Sequence, residues 1–327
     1  LNQVQPGDII VSGPTDEAAE GFLKRVVSKT TASGQVQLLT EQAALEEAID
    51  TGSFSISQPL SPDQIVSSRL MPGVALVPAD ERIDFTFAYE IKDFVLRDKD
   101  GNLNTKGDQM LLDGTVSFTK TFNMDIEFKR GNLEFFEFID RSDVKGEFDV
   151  ISQFFGAEKA EDKVFAQHQL SPIIGFIGPV PIVITPVVNL VIGYDGDVQV
   201  GVKLGFEYEV ATEAGARWVN GQASWIGDNS HNFTGKWPTF TTALGLEMKA
   251  GPELVLKFYG LIGPKAEIEV FLRGDVDPFD VPWWELSGGL RVVVGLKIEA
   301  LKKTFVDEEQ TVIEFSIVLL RAGKPPE

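Results

Sequence analysis

The chain has 327 residues and no cysteine, and its 49 acidic residues outnumber its 29 basic ones, for a net charge of -20. The missing cysteines exclude disulfides, thiolate catalysis and Cys-ligated metal sites. The negative charge repels phosphate backbones, which argues against nucleic-acid binding. A cysteine-free chain of this size is typical of an exported bacterial protein or of a thermophile's protein, and the start at Leu1 instead of Met predicts that a signal peptide has been removed. We therefore expect an extracellular or cell-surface protein.

The first 52 residues predict a small β unit with one short helix. Short apolar runs at residues 9–11, 22–27 and 36–39 predict strands. Thr40 is a preferred N-cap residue, and Leu45 with Ile49 forms an apolar helical face. These residues predict a helix over residues 41–50, and Gly52 stops it.

Residues 53–80 have the composition of a linker. They are rich in Ser, Pro, Gln and Asp and have little apolar periodicity. We therefore expect them to connect the N-terminal unit to the rest of the chain.

From residue 81 onward the sequence alternates between apolar and polar residues. Phe85, Phe87 and Tyr89 begin this pattern, and a period of two predicts antiparallel strands with one face in water. The fold class predicted is all-β, with a large sandwich-like or barrel-like body. Residues 81–155 are predicted to form an antiparallel meander, and residues 156–327 a second sandwich-like part. The boundary between the two parts is predicted near residues 155–170.

An uncharged apolar run over residues 170–194 interrupts the alternation. Prolines within it would leave a helix with unsatisfied backbone groups in lipid, so no transmembrane helix is predicted. The run is expected to be a β segment, either buried as the inner wall of the core or at a sheet edge where another chain could pair with it. Proline also confines a strand to a sheet edge. Candidate assembly residues are therefore Pro172, Pro179, Pro181 and Pro186, together with the N-terminal strand Ile9, Ile10 and Val11.

Three segments carry a family resemblance: PGDIIVSG near the N-terminus, GPVPIVITPVVNL in the apolar run, and PWWELSGGLRVVVGLKIEAL near the C-terminus. They resemble segments of secreted or surface-exposed bacterial β-rich proteins that have no assigned activity. The resemblance implies export and β architecture, and it implies no catalytic residue.

One polar loop is a candidate calcium site. Five oxygen-bearing side chains surround Gly101: Asp98, Asp100, Asn102, Asn104 and Asp108. Calcium prefers six to eight oxygen ligands, which this loop could supply. The spacing departs from an EF-hand, because no glutamate closes the loop. The alternative is a hairpin loop whose Asn and Asp side chains form Asx turns. Apart from this candidate calcium ion, no cofactor is predicted.

Other residues suggest binding or hydrolysis. The pairs Glu207/Glu209 and Glu267/Glu269 place two carboxyl groups on one face of a strand, as a glycosidase could use, although alternation with apolar residues also predicts a solvated sheet face. Tryptophan rings can stack on sugars or plug the end of a sandwich. The candidate ligand-binding residues are Trp218, Trp225, Trp237, Trp283 and Trp284.

The sequence supports three hypotheses about function. The leading hypothesis is a non-enzymatic structural or interaction protein, such as a surface-layer or fibre subunit. It would associate with itself or with another surface protein by strand addition. The alternatives are a module that binds a glycan or an apolar ligand, and a hydrolase built on carboxylates. The sequence contains no nucleotide-binding loop or catalytic triad that would favour an enzyme.

Overall fold

The structure is a computed structural model that describes residues 3–32, 34–78, 85–98, 100–152, 156–198, 201–239, 244–277, 279–301 and 307–322. Nearly all of these residues lie in antiparallel strands, which confirms the all-β prediction. One short α-helix, α1, spans Leu45–Ala48. Two single turns of 3-10 helix span Pro62–Gln64 and Lys106–Asp108. No helix in the described part of the chain has the length and hydrophobicity needed to cross a bilayer.

The N-terminal unit is a three-stranded sheet. It consists of β1 (Ile9–Ser12), β2 (Phe22–Ala32) and β3 (Gln35–Gln42). The predicted short helix is confirmed, but it is shorter than residues 41–50, because β3 continues through Thr40 to Gln42 and α1 covers only Leu45–Ala48. Pairing explains the difference: Thr40 lies opposite Val26 of β2, and the amide of Gln42 donates a hydrogen bond to the carbonyl of Leu23. Tertiary pairing outweighs the helical preference of this segment.

The linker predicted over residues 53–80 is also wrong, since its described residues form three strands. They are β4 (Gly52–Leu60), β5 (Ile65–Leu70) and β6 (Val74–Val77). In β4, Phe54 and Ile56 alternate with serines and face the core, and β4 pairs with a long strand over its whole length. Serine fills the outward positions of a strand as well as those of a linker, so composition did not separate the two.

Two large sheets make up the body. Among the described residues, sheet 1 has the order β18-β17-β16-β15-β12-β10-β5, with β11 beside β12. Sheet 2 has the order β14-β13-β9-β8-β7-β6, with β4 beside β8. The further strands of sheet 1 are β10 (Gly156–Leu170), β11 (Ile173–Ile177), β12 (Val180–Val198), β15 (Leu244–Phe258), β16 (Leu261–Val276), β17 (Trp284–Leu296) and β18 (Glu308–Arg321). Those of sheet 2 are β7 (Phe87–Asp98), β8 (Gln109–Lys129), β9 (Asn132–Ser152), β13 (Val202–Val219) and β14 (Gln222–Gly235).

The two sheets bury their inner faces in one continuous core. The boundary predicted near residues 155–170 does not separate them. β13 and β14 follow that boundary in sequence, yet β13 pairs with β9 along its full length in sheet 2. β5 precedes it, yet pairs with β10 in sheet 1. Residues 81–84 and 153–155, at the predicted boundaries, lie outside the described part.

The apolar run forms β11 and most of β12. The expectation that its prolines mark a sheet edge is wrong for Pro186, which lies inside the long strand β12 opposite Leu256 of β15. Pro181 also lies in β12, opposite Phe176 of β11, and the pairing with β15 begins only at Ile184. Pro186 falls between Ile184, which pairs with β11, and Val187, which pairs with β10. Its missing N–H therefore lies at a gap between two partner strands. Pro172 and Pro179 lie in the connections before β11 and β12.

Candidate functional site

The outer face of sheet 2 carries a groove with both polar and apolar lining. Its larger part has a volume of about 550 Å³, and an adjoining part has about 410 Å³. Both parts are lined by Ser117, Lys145, Glu209 and Asn232, so they form one continuous depression. We call it the outer groove.

Strand register determines which side chains line the outer groove. Odd-numbered residues of β8, β9 and β13 point outward, because the even-numbered ones are buried in the core. The pairing aligns them in three rows across four strands. The central row is Ser117, Lys145, Glu209 and Asn232; the flanking rows are Thr115, Glu147, Glu207 and Thr234, and Thr119, Asp143, Ala211 and Ser230.

Charges in the outer groove are only partly neutralised. Lys145 Nζ lies 2.9 Å from Glu209 Oε1. Lys236, at the end of the groove, contacts Glu147 and lies 3.1 Å from Asp149. Partial burial opposes the charged form of Lys236, but hydrogen bonds to Glu147 and Asp149 outweigh it and raise its pKa. Glu207 is exposed and makes no ion pair with any described residue.

The pair Glu207/Glu209 lies on the outer face of β13, and both side chains are exposed. Lys145 already pairs with Glu209. The two carboxyl groups therefore lie side by side on one strand, whereas a glycosidase places its acid and base on opposite sides of the scissile bond. This arrangement does not favour hydrolysis.

The tryptophans do not form one binding surface. Trp218 and Trp284 are buried, and Trp225 and Trp283 are half-buried against the core. Trp237 is 76% exposed, and its ring meets that of Trp284 edge to face at 5.8 Å. Burial prevents Trp218 and Trp284 from stacking on a ligand that approaches from solvent.

The predicted calcium loop connects β7 to β8. Carboxylate oxygens of Asp98, Asp100 and Asp108 lie within 4.8 Å of one another. Asn102 and Asn104 complete Asx turns instead: Asn102 N donates to Asp100 Oδ1 at 2.8 Å, and Asn104 N donates to Asn102 Oδ1 at 3.3 Å. The hydrogen bonds from Asn102 N and the Thr105 hydroxyl lower the pKa of Asp100.

Two carboxylate oxygens in this loop are available to a cation. Asp98 Oδ1 and Asp108 Oδ1 are buried and have no hydrogen-bond partner. A hard cation such as calcium accepts carboxylate oxygens of this kind. Asp98, Asp100 and Asp108 could therefore hold calcium, with the two asparagines shaping the loop around them.

We expect calcium to raise the thermal unfolding midpoint and a chelator to reverse the rise, because a ligand of the folded state alone stabilises it. Differential scanning calorimetry of the metal-free protein measures this. The double variant Asp98→Asn/Asp108→Asn should lose the response, and Asp228→Asn, an exposed change on β14, should keep it. An unchanged midpoint in millimolar calcium would count against the site.

A second acidic cluster lies on the outer face of sheet 1. Oxygens of Asp162, Glu267 and Glu269 lie within 4.8 Å of one another. Lys249 contacts both Asp162, at 2.8 Å, and Glu269, while Arg291 lies 3.0 Å from Glu269. Glu267 lies outside these ion pairs. Burial, and then its neighbours Glu253 and Glu269, raise the pKa of Glu267 to about 7.

Glu267→Gln is expected to stabilise the protein at alkaline pH. The folded pKa of about 7 exceeds the ordinary 4.5, so the folded state binds more protons than the unfolded state between these values, and stability falls as pH rises through them. Because water screens part of this interaction, Glu267→Gln should raise the free energy of unfolding by about 2 kcal/mol above pH 7. Urea unfolding at pH 5 and pH 8 measures it. An equal gain in stability at both pH values, or no gain at pH 8, would contradict the raised pKa of Glu267. Glu207→Gln, at an exposed position, is the control and should change stability little at either pH.

The two histidines lie on different sheets. His168 is buried in β10, its Nδ1 lies 2.6 Å from the hydroxyl of Ser68, and burial lowers its pKa. His231 of β14 borders the outer groove, and its ring centroid lies 4.1 Å from that of Phe315, with the two rings tilted by 31°.

The outer groove was not predicted from the sequence. The sequence does show Ser, Thr, Lys and Glu at alternate positions of three strands, where they point outward. Their alignment into rows depends on the strand register, which the sequence alone did not predict. Comparisons of this chain with protein-family models, with curated proteins and with solved structures found no match.

Proposed function

We propose that this protein is an exported, non-enzymatic binding protein and that its outer groove binds an uncharged glycan. The alignment of hydroxyl, amide, ammonium and carboxylate groups in three rows carries the proposal. A glycan presents hydroxyl groups that both donate and accept hydrogen bonds, and these rows offer both kinds of partner. Four strands about 4.8 Å apart make the rows about 14 Å wide, which suits an extended chain rather than a single sugar.

Charge restricts the ligand class. Asp143, Glu147, Glu207 and Glu209 outnumber the single Lys145 on the rows themselves, within a chain of net charge -20. Uronic-acid polymers and other polyanions would be repelled. An uncharged glycan meets no such penalty, and Lys145 with Asn232 supplies donors to its oxygens.

Ser117→Ile tests this proposal. Ser117 lines both parts of the outer groove, so an isoleucine there removes a hydroxyl and fills the space above the sheet. We expect calorimetry with neutral β-linked and α-linked oligosaccharides to show at least a tenfold weaker affinity, equivalent to about 1.4 kcal/mol. Ser224→Ile, at the far end of the same outer face, should bind like the parent. Absence of heat with every neutral glycan, or full binding by Ser117→Ile, would overturn the proposal.

A second candidate function is assembly by strand addition, as a structural or fibre subunit. The favouring observation is β18, a 14-residue strand at the end of sheet 1 that pairs only with β17 among the described strands. Its Ile317 and Val318 are 36% and 49% exposed. A long edge strand with exposed apolar side chains is a template for another strand.

Light scattering over a wide concentration range tests assembly. We expect growth of the particle mass with concentration, and its loss in Val318→Lys, because a charged edge residue opposes strand addition. Val27→Lys, at a similarly exposed position of β2, is the control. A constant monomer mass in the parent protein would remove this candidate.

A further inference from the structure

Three polar side chains lie together on the mostly apolar inner face of sheet 2, with the buried Thr212 of β13 opposite one of them, Ser142. Lys120 of β8 and Asp140 and Ser142 of β9 point inward, at 1%, 0% and 3% exposure. Phe118 and Phe122 flank Lys120 on the same inner face of β8. The outer groove lies on the opposite face of these strands, so the three residues play no part in the proposed glycan binding.

The geometry brings an amine against a carboxyl group. Lys120 Nζ lies 2.8 Å from Asp140 Oδ2 and 2.9 Å from Ser142 Oγ, and Ser142 Oγ donates to the same Asp140 Oδ2 at 2.8 Å. Ser142 lies directly opposite Lys120 in the β8–β9 pairing, and Asp140 is the diagonal neighbour. Asp140 Oδ1 is buried without a hydrogen-bond partner.

We propose that Lys120 and Asp140 condense into an amide that cross-links β8 to β9. One proton passes from the Lys120 ammonium to Asp140 Oδ2, which leaves a neutral amine and a neutral acid. The Nζ lone pair then attacks Asp140 Cγ and forms the N–C bond. A second proton moves from Nζ to Oδ2 through the Ser142 hydroxyl, the Cγ–Oδ2 bond breaks, and one water leaves. The product keeps Oδ1 as the amide oxygen and one hydrogen on Nζ, so atoms and charge balance without any other reactant.

The surroundings favour this reaction in three ways. Burial penalises the ammonium and the carboxylate, and the neutral amide removes both charges. The paired strands hold the amine and the carboxyl group in contact, so the reaction is intramolecular and needs no bimolecular encounter. The released water escapes to bulk solvent, while the apolar core excludes the water that hydrolysis would require.

Mass spectrometry of the purified full-length chain under denaturing conditions tests the proposal. We expect an intact mass lower than the sequence mass by one water. Protease digestion should yield one branched peptide that joins the segments containing residues 120 and 140. An intact mass equal to the sequence mass, in protein folded and aged at neutral pH, would overturn the proposal and leave a buried ion pair.

Variants identify the reacting groups. Lys120→Met should have its full sequence mass, and Asp140→Asn, which keeps the shape of the side chain, should lose ammonia instead of water. Ser142→Ala should raise the uncross-linked fraction at early times. Lys129→Met, at an exposed position of β8 outside the outer groove, should still lose one water. Loss of water in Lys120→Met would place the dehydration elsewhere and contradict the assignment.

Discussion

Gly251→Val is expected to lower the free energy of unfolding by about 3 kcal/mol. Gly251 lies in β15, where a Cβ would come within 1.8 Å of the carbonyl oxygen of Ile268 in the neighbouring β16. That oxygen belongs to the backbone, so it can move away only if β16 shifts. Pro252 follows directly and has no N–H to donate, and the close approach of the two strands occurs at this position.

A matched glycine lies in the same strand. A Cβ on Gly245 would meet only Asp275 Oδ1, at 3.9 Å, so Gly245→Val should change the free energy of unfolding by no more than about 0.5 kcal/mol. Equilibrium urea unfolding of both variants measures the difference. Equal effects of the two substitutions would show that strand entropy, and not the contact with β16, determines the cost.

Asp140→Leu is expected to cost about 3–5 kcal/mol of unfolding free energy, because it leaves the Lys120 ammonium in the core without its carboxylate partner. Lys120→Met/Asp140→Leu replaces both groups by apolar ones and should recover most of that loss. Neither variant can form the proposed amide, so the stability difference between them reports the charge contribution without the cross-link.

An exposed pair on the same sheet is the control. Lys145 and Glu209 lie 2.9 Å apart with more than half of each side chain exposed, so Glu209→Leu should cost less than about 1 kcal/mol. Denaturant unfolding measures all three variants. A cost for Asp140→Leu as small as that for Glu209→Leu would contradict the burial argument.

Several features of the fold were predictable because their cause is local. Alternation of apolar and polar residues predicted long strands with one wet face, and the structure confirms it in β7, β8 and β9. The prolines of the apolar run excluded a helix there, and it forms β11 and β12. Lys120 also occupies an inward position in the alternation, but the alternation does not predict which residue pairs with its amine.

Other features depend on which strands meet. Thr40 extends β3 because it pairs with β2, and the serine-rich residues after Gly52 form β4 because Phe54 and Ile56 cover the core beside β8. The boundary near residues 155–170 was misplaced for the same reason, since strands from both sides of it complete each sheet.

The sequence by itself determined the class of this protein: an acidic, cysteine-free chain of long alternating strands, whose polar faces stay in water and whose apolar faces require a second sheet. Tertiary structure alone decided the chemistry. The alternation with a period of two predicts which face of the sheet each side chain occupies. It does not predict the neighbouring side chains, because these come from strands 20 to more than 60 residues away along the chain, as in the pairs Lys120–Asp140 and Lys145–Glu209. Register, selected by burial of the inner faces, therefore created both the rows of the outer groove and the buried contact between an amine and a carboxyl group.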